Sequence, residues 1–213
     1  MTILIIGFLA IPGVYAQAQV YPTPPPADII VHTTTITYSG KPTTQFVFNV
    51  TETDSQSLVT EIAFNTSVPF SSLRIQIFQL SGFPPEIPTA TGIPLLIIQI
   101  ILPESVDNST ISATIDFKIP QNSISSAKVN PNTIVVQRYS QGSWSVLASK
   151  VVGSNSQFVY IHAQSPGLSV FAITATALPT PFPWFLLISI LVVIVIVVAV
   201  GVLLVQRRRK ASR

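Results

Sequence analysis

The sequence predicts an all-β protein, an antiparallel β-sandwich of the Ig-like or jelly-roll-like kind, with one C-terminal transmembrane helix. Between residues 29 and 177, short segments of alternating or β-branched residues recur with turn residues between them, which is typical of a sandwich. The chain has no cysteine, so this domain must be held together by a hydrophobic core. After it comes a long uncharged apolar stretch followed directly by basic residues, which predicts a membrane anchor.

The transmembrane helix is predicted from Trp184 to Val205, a stretch without a charged residue. As a helix it would be about 33 Å long at about 1.5 Å per residue, enough to cross a hydrocarbon core of about 30 Å. A helix is expected despite the many Val and Ile residues, because lipid offers no partners for backbone groups. The basic tail, residues 206–213, marks the cytoplasmic side. We therefore expect a single-pass type I protein of the cell membrane, with the lipid bilayer as a partner and an extracellular ectodomain.

Residues 1–18 are predicted to be a signal peptide. The apolar stretch Ile3 to Ile11 is too short to span a membrane, and small residues suit cleavage after Ala16 or Ala18. No Lys or Arg precedes that stretch, so an uncleaved short anchor is the alternative. Pro-rich segments at 19–28 and 178–183 are predicted to be stiff spacers on either side of the ectodomain, residues 29–177.

The charge of the chain is divided between two parts of opposite sign. Residues 17–183 contain six Lys or Arg against eight Asp or Glu, a difference of −2, and the tail brings the total to +3. The basic character is thus a sign of membrane topology, and it is not the basic face that a nucleic-acid-binding domain needs. No nucleic-acid partner is expected.

Strands are predicted wherever apolar and polar residues alternate or β-branched residues are enriched. Hairpin loops are expected at 140–142 and 153–155, because Gly and Asn tolerate the positive φ that tight turns need. One short helix is expected inside the domain, from Asn122 to Lys128, ended by Asn130-Pro131. The predicted strands are Ile29–Tyr38, Gln45–Thr51, Val59–Phe64, Leu73–Leu80, Ile97–Leu102, Ile111–Ile119, Thr133–Tyr139, Trp144–Ala148, Gln157–Ala163 and Leu168–Ala175.

The most apolar stretch outside the membrane segment runs from Pro94 to Pro103. The residues between the two prolines are too few to cross a bilayer, so they are predicted to form a central strand buried on both faces. A strand that pairs subunits is the alternative.

The last third of the domain resembles the PGF-pre-PGF domain of archaeal cell-surface proteins. A strand ending in Pro, a short helix, an Asn-Pro turn, a Tyr-containing strand, a Trp hairpin and a final Pro-Gly-led strand follow in that family's order. The resemblance covers residues 73–175 well and 29–65 more loosely, and Leu168 stands where the family has Phe. It implies an exported archaeal β domain and no activity. The motif residues are Tyr139, Trp144, Tyr160, Pro166, Gly167, Ser169, Phe171 and Ala172.

The sequence offers little for catalysis or metal binding. His32 and His162 lie in alternating strands without an acidic neighbour at ligand spacing, so satisfied or exposed strand histidines are favoured over a metal centre. The acids of the pairs Glu52/Asp54 and Glu104/Asp107 are predicted to be solvated loop acids. A weak Ca²⁺ site formed by Glu104, Asp107 and Asn108 is left open. Trp144 is interpreted as a core or rim aromatic in preference to a ligand platform.

No nucleotide-binding or hydrolase motif occurs in the sequence, so no catalytic, cofactor-binding or metal residue is predicted, and no enzyme. Three glycosylation sequons are the candidate sites instead: Asn49, Asn65 and Asn108. Retention of the C-terminal helix is favoured over its removal as a sorting tail.

The expected function is therefore structural, adhesive or binding, in the archaeal envelope, with an envelope protein or a glycan as partner. The alternative is an accessory subunit that anchors a larger envelope complex, such as a surface layer, a filament or a transporter.

Overall fold

The computed structural model describes residues 23–179 together with Ile188, Leu191–Val193 and Gly201, which are helical and exposed. The chain divides into two units, Met1–Ala177 and Leu178–Arg213. The predicted signal peptide, and the predicted transmembrane helix apart from those few helical residues, lie outside the described residues. Within the described part of the chain, no helix has both the length and the apolar character to cross a bilayer.

The first unit is mostly β-structure, as the sequence predicted. Among the described residues, nine strands form one antiparallel, curled sheet with the order β6-β5-β9-β3-β2-β4-β8-β7, and β1 pairs with β2 beside this path. The strands are β1 Ile30–Asn49, β2 Val59–Leu80, β3 Ile93–Ile101, β4 Thr110–Pro120, β5 Val135–Ser140, β6 Ser143–Val146, β7 Ser149–Ser154, β8 Phe158–Ser165 and β9 Val170–Ala175. Three short helices connect them: α1 Val50–Thr53, α2 Glu104–Asp107 and α3 Gln121–Ala127.

The long β1–β2 hairpin divides the sheet into two halves. Residues 59–66 of β2 pair with β4, whereas residues 76–80 pair with β3, and β1 follows the other edge of β2 along its length. We call β7, β8, β4 and the hairpin portion beside them the first half-sheet. We call β6, β5, β9, β3 and the remaining hairpin portion the second half-sheet.

The hairpin changes register between the two halves, with shifts between Ser39 and Thr43 and between Thr43 and Gln45. Pro42 and Pro69 lie in this region, and proline cannot donate a ladder hydrogen bond. The four strands predicted between residues 29 and 80 are therefore two long strands. Pairing within each is interrupted at the register shifts and resumes beyond them.

The main core lies between the inner faces of the two half-sheets. Phe117 on β4 and Phe171 on β9 are fully buried, and their ring centroids are 6.1 Å apart. Around them are Ile62, Ile115 and Ile173, which are also fully buried. Burying one such side chain stabilises the fold by about 1.5–3 kcal/mol, so this core can hold a domain that has no disulfide.

Between β6 and β7 the chain runs from the second half-sheet to the first. The backbone N–H of Leu147 donates to the carbonyl of Val136 in β5, and the N–H of Gln164 in β8 donates to the carbonyl of Ala148, both at 2.9 Å. The predicted strand Trp144–Ala148 thus continues, after a short break, into a strand that was not predicted, β7.

The predicted loop at 153–155 was wrong in position. Gly153 and Ser154 pair with Tyr160 and Val159 as part of β7. The turn starts at Asn155, whose side-chain Oδ1 accepts hydrogen bonds from the backbone N–H groups two and three residues later, both at 2.8 Å. An Asn side chain that accepts hydrogen bonds from the following backbone N–H groups forms an Asx-turn, which does not require a glycine.

The other local predictions are confirmed. Gln141 and Gly142 have φ of 51° and 79° in the β5–β6 hairpin, as a tight hairpin turn requires. Helix α3 ends at Ala127 and is capped by Lys128, whose φ of 50° and ψ of 46° are left-handed. Asn130 then starts the next turn by accepting a hydrogen bond from the Asn132 N–H at 3.0 Å.

The apolar stretch between Pro94 and Pro103 forms β3, which lies between β2 and β9. Residues 96–100 are buried, so the central-strand prediction is confirmed. Because both edges of β3 are already paired within the chain, the alternative of a subunit-pairing strand is wrong.

The outer face of the second half-sheet carries a smaller apolar cluster. Trp144 packs against Phe83 and Tyr139, with ring centroids 5.6 Å and 5.3 Å away, and its Nε1–H donates to the carbonyl of Pro88 at 2.6 Å. The connection between β2 and β3 supplies Phe83 and Pro88, so it covers this face. Trp144 thus has the packing role that the sequence favoured. The buried members of the cluster are Phe78, Leu80, Ile97 and Val170.

Candidate binding face

The outer face of the first half-sheet carries a row of polar side chains at one register level. Asn49 of β1 is paired with Glu61, Glu61 with Asp116, Asp116 with His162, and His162 with Lys150 of β7. Directly paired residues on neighbouring strands point to the same face of a sheet. The five side chains therefore form one row across five strands, which we call the polar row.

The polar row faces away from the main core because of the alternation along each strand. Its neighbours in sequence, Ile62, Ile115 and Ile161, are fully or almost fully buried. The three middle strands, β2, β4 and β8, therefore anchor the row from beneath with a large aliphatic side chain each. The row is thus displayed on regular β-structure and does not depend on a loop.

At the centre of the polar row, His162 is bonded to Asp116. Nδ1 of the ring lies 2.6 Å from Oδ1 of the carboxylate, and the two side chains are 30% and 34% exposed. An ionised carboxylate can only accept, so Nδ1–H donates, and the other ring nitrogen, Nε2, is left for a different partner. Sequence reasoning missed this pair because 46 positions separate its members.

A pocket of about 260 Å³ opens beside His162. It is smaller than the roughly 300–1,000 Å³ of sites for drug-sized ligands, so it suits a small ligand or one unit of a larger one. Three of its lining side chains, Lys150, His162 and Gln164, are polar and leave β7 and β8 on the same face. Ser149 is paired with the buried Ala163, so its side chain points to the other face, where its hydroxyl accepts from the Val136 N–H at 3.4 Å. The lining residues are Ala148, Ser149, Lys150, His162 and Gln164.

The second histidine also has an aspartate partner, in a different part of the fold. Nε2 of His32 lies 2.5 Å from Oδ2 of Asp54, and the Thr34 hydroxyl donates to the same oxygen at 2.7 Å. The Gln56 N–H donates to the other carboxylate oxygen at 3.0 Å. Burial raises the pKa of Asp54, but the hydrogen bonds from Thr34, His32 and Gln56 outweigh it, and the pKa is lowered. The interpretation of Asp54 as a solvated loop acid was therefore wrong.

Asp107, also predicted to be a solvated loop acid, is partly buried near Arg138. Burial raises its pKa, and the positive charge of Arg138 partly offsets the rise. Burial also lowers the pKa of Arg138, with Asp107 opposing the change. Among the described residues, no three His, Asp or Glu side chains come together as a metal ion would require.

The three sequon asparagines are exposed in the structure. Asn49 ends β1, and its side-chain oxygen accepts from the Thr51 hydroxyl at 2.8 Å. Asn65 lies inside β2 and not at the strand end that the sequence predicted, because the two predicted strands are one. It shares the face of Glu61, four residues earlier, so two of the three sequons are on the outer face of the first half-sheet. Asn108 follows α2.

The motif residues of the final strand have clear packing roles. Leu168 is 2% exposed, so it fills a buried apolar position as predicted. The Ser169 hydroxyl donates to the carbonyl of Tyr139 at 2.5 Å. At Gly167, an added Cβ would lie 3.2 Å from Nη2 of Arg138, so a glycine lets the turn pack against the guanidinium.

A comparison of the chain with protein-family models gave no match, and a comparison with curated proteins gave none either. The resemblance to the PGF-pre-PGF domain thus depends on the order of its motifs, and it remains a prediction.

Proposed function

We propose that this chain is a membrane-anchored cell-surface protein of the archaeal envelope, whose β domain binds a glycan or another envelope protein and catalyses no reaction. The observation that carries the proposal is the polar row with its adjacent pocket. It is an accessible set of charged and hydrogen-bonding side chains on regular strands, a rigid support that favours binding sites.

The proposal also includes the kind of β fold. We infer a β-sandwich of the Ig-like or jelly-roll-like kind, since the two half-sheets enclose one core and meet at Phe117 and Phe171. The resemblance to the PGF-pre-PGF domain supports the archaeal origin.

The anchor and the topology are inferred from the sequence. The uncharged stretch from Trp184 to Val205 and the basic residues after it support a single crossing with the tail inside. The signal-peptide pattern in residues 1–18 supports export. On this topology the sequons Asn49, Asn65 and Asn108 are accessible to glycosylation, so we expect at least one of them to carry a glycan.

Photo-crosslinking in intact cells tests the binding role. A photoreactive amino acid at Gln164, exposed in the pocket lining, is expected to capture a defined envelope protein or glycan. The matched control places the same amino acid at Thr89, exposed on the connection that covers the second half-sheet. Equal capture from both positions, or none from Gln164, would contradict a binding role for this face.

A second candidate function is that of an accessory subunit for a larger envelope complex. The observation that favours it is β1, a strand of 20 residues that pairs only with β2 among the described strands and exposes Val31 and Val47. A long edge strand can accept a strand from another protein. Isolation in mild detergent with one stoichiometric protein partner would support this function, and isolation without a partner would favour the first.

A further inference from the structure

We propose that the pocket beside His162 binds the carboxylate of an acidic sugar, with a hexuronic acid unit as the ligand class. The inference rests on the proposed function, because it names the ligand of the same face. It is argued from three features of the pocket: the charge of Lys150, the orientation of His162, and the size of the pocket together with the Gln164 amide in its lining.

Lys150 supplies the positive charge that an anionic ligand needs. It lies directly opposite His162 in the β7–β8 ladder, so the two side chains leave the sheet on the same face. A single lysine provides one compact positive charge, which suits a singly charged carboxylate. Planar bidentate recognition of a phosphate favours arginine, and no arginine lines this pocket.

Asp116 prepares His162 for a ligand. Its carboxylate holds Nδ1 at 2.6 Å, which fixes the ring and leaves Nε2 as the ring nitrogen available to a ligand. Asp116 and Glu61 are themselves negative and oppose an anion. They are the next two members of the row beyond His162, however, and neither lines the pocket, whereas Lys150 does.

The rest of the lining suits the hydroxyl groups of one sugar ring. The Gln164 amide, on the same face as His162, can both donate and accept hydrogen bonds. Ala148 adds a small apolar surface. A volume of about 260 Å³ suits one sugar unit, and the rest of a polysaccharide would extend over the exposed face.

The His32–Asp54 pair provides a matched comparison inside the same molecule. Its histidine is also bonded to an aspartate, but its cross-strand partner is Gln79, not a lysine. The aspartate is already bonded by Thr34 and Gln56. A histidine–aspartate pair without a lysine beside it is not expected to bind an anion. An anionic ligand should therefore change the environment of His162 and leave that of His32 unchanged.

Nuclear magnetic resonance on the full chain in a non-ionic detergent tests the proposal. The protein has only two histidines, so ¹³C labelling at Cε1 gives two signals, and His162→Gln assigns them. Titration with sodium glucuronate is expected to move the His162 signal to saturation and to leave the His32 signal in place. Glucose, which has the same ring without the carboxylate, is expected to cause a shift at least fivefold smaller at equal concentration.

Two charge variants complete the test. Lys150→Met is expected to weaken glucuronate binding at least fivefold. Lys41→Met removes the same charge from an exposed position away from the pocket and is expected to leave binding unchanged. The proposal is overturned if glucuronate causes no saturable shift, if glucose, sodium chloride or sodium phosphate shifts the His162 signal equally, or if the two variants behave alike. If the β domain binds glucuronate but is not located at the cell surface, the proposed function is overturned and the carboxylate site is still supported.

Discussion

At the scale of single residues, Asp54 joins two distant parts of the hairpin. Its carboxylate, just after α1, holds His32 and Thr34 near the start of β1. Replacing it with asparagine removes the charge from three hydrogen bonds, so Asp54→Asn is expected to lower the free energy of unfolding by about 1–3 kcal/mol at pH 7. Urea unfolding followed by circular dichroism measures this loss.

The pH dependence of that loss follows from the lowered pKa of Asp54. The ordinary pKa is 3.8 and the folded value lies below it, so the stabilisation is complete above the ordinary value and is lost as pH falls through the folded value. The difference between the original chain and Asp54→Asn should therefore shrink when unfolding is measured below pH 3.8. Glu52→Gln, a change at an exposed acid of the same segment, is the control. A difference that stays constant with pH would contradict this role.

Gly92 is a residue whose backbone demands glycine. Its φ is 95°, and an added Cβ would lie 3.1 Å from the carbonyl oxygen of Ala175. Gly92→Ala is therefore expected to cost about 1–3 kcal/mol of unfolding free energy through backbone strain alone. Gly82→Ala, with nothing within 4 Å of the new Cβ, is the matched control and should change stability little. Equal effects in denaturant unfolding would show that the Gly92 geometry is not required.

The histidine partners show what sequence reasoning misses at this scale. The sequence predicts both histidines on strands and favours a satisfied or an exposed side chain over a metal ligand. Their partners depend on how distant segments pair, since 22 and 46 positions separate the two residues of each pair. The one available signal for the second pair was alternation: Asp116 and His162 each lie between apolar residues on their strands, which marks both as outward-facing.

At the scale of elements, contact between the two half-sheets is carried by Phe117 and Phe171. A double-mutant cycle with Phe117→Leu and Phe171→Leu is expected to give a coupling energy of about 0.5–1.5 kcal/mol, because the rings contact each other across the core. The control cycle pairs Phe117→Leu with Phe78→Leu, which belongs to the separate outer cluster, and should be additive. Absence of coupling in the first cycle would contradict the packing of one half-sheet on the other.

The elements themselves were largely predictable, and the exceptions have physical causes. Buried strands such as β3, β4 and β9 show their apolar pattern directly in the sequence. The bends of β1 and β2 looked like strand ends because turn-forming residues occur there, yet pairing resumes beyond them. Strand β7 was missed because it lies almost entirely exposed at the sheet edge, so it has no alternation to detect.

At the scale of the whole molecule, the exposure of the sequons leads to a prediction about mass. Asn49, Asn65 and Asn108 are exposed, and export would give the glycosylation machinery access to them. The native protein is therefore expected to be heavier than its processed polypeptide, and to lose the excess in steps in the variants Asn49→Gln, Asn65→Gln and Asn108→Gln. Intact-mass spectrometry measures this, and a native mass equal to that of the bare polypeptide would contradict the prediction.

The membrane topology is the central claim, because the binding role and the glycans both require the β domain to be outside. Limited proteolysis of intact cells tests it directly, with antibodies against the β domain and against the tail, residues 206–213. The protease is expected to remove the domain from intact cells while the tail stays protected until the cells are lysed. A β domain that is cut only after lysis would contradict the account.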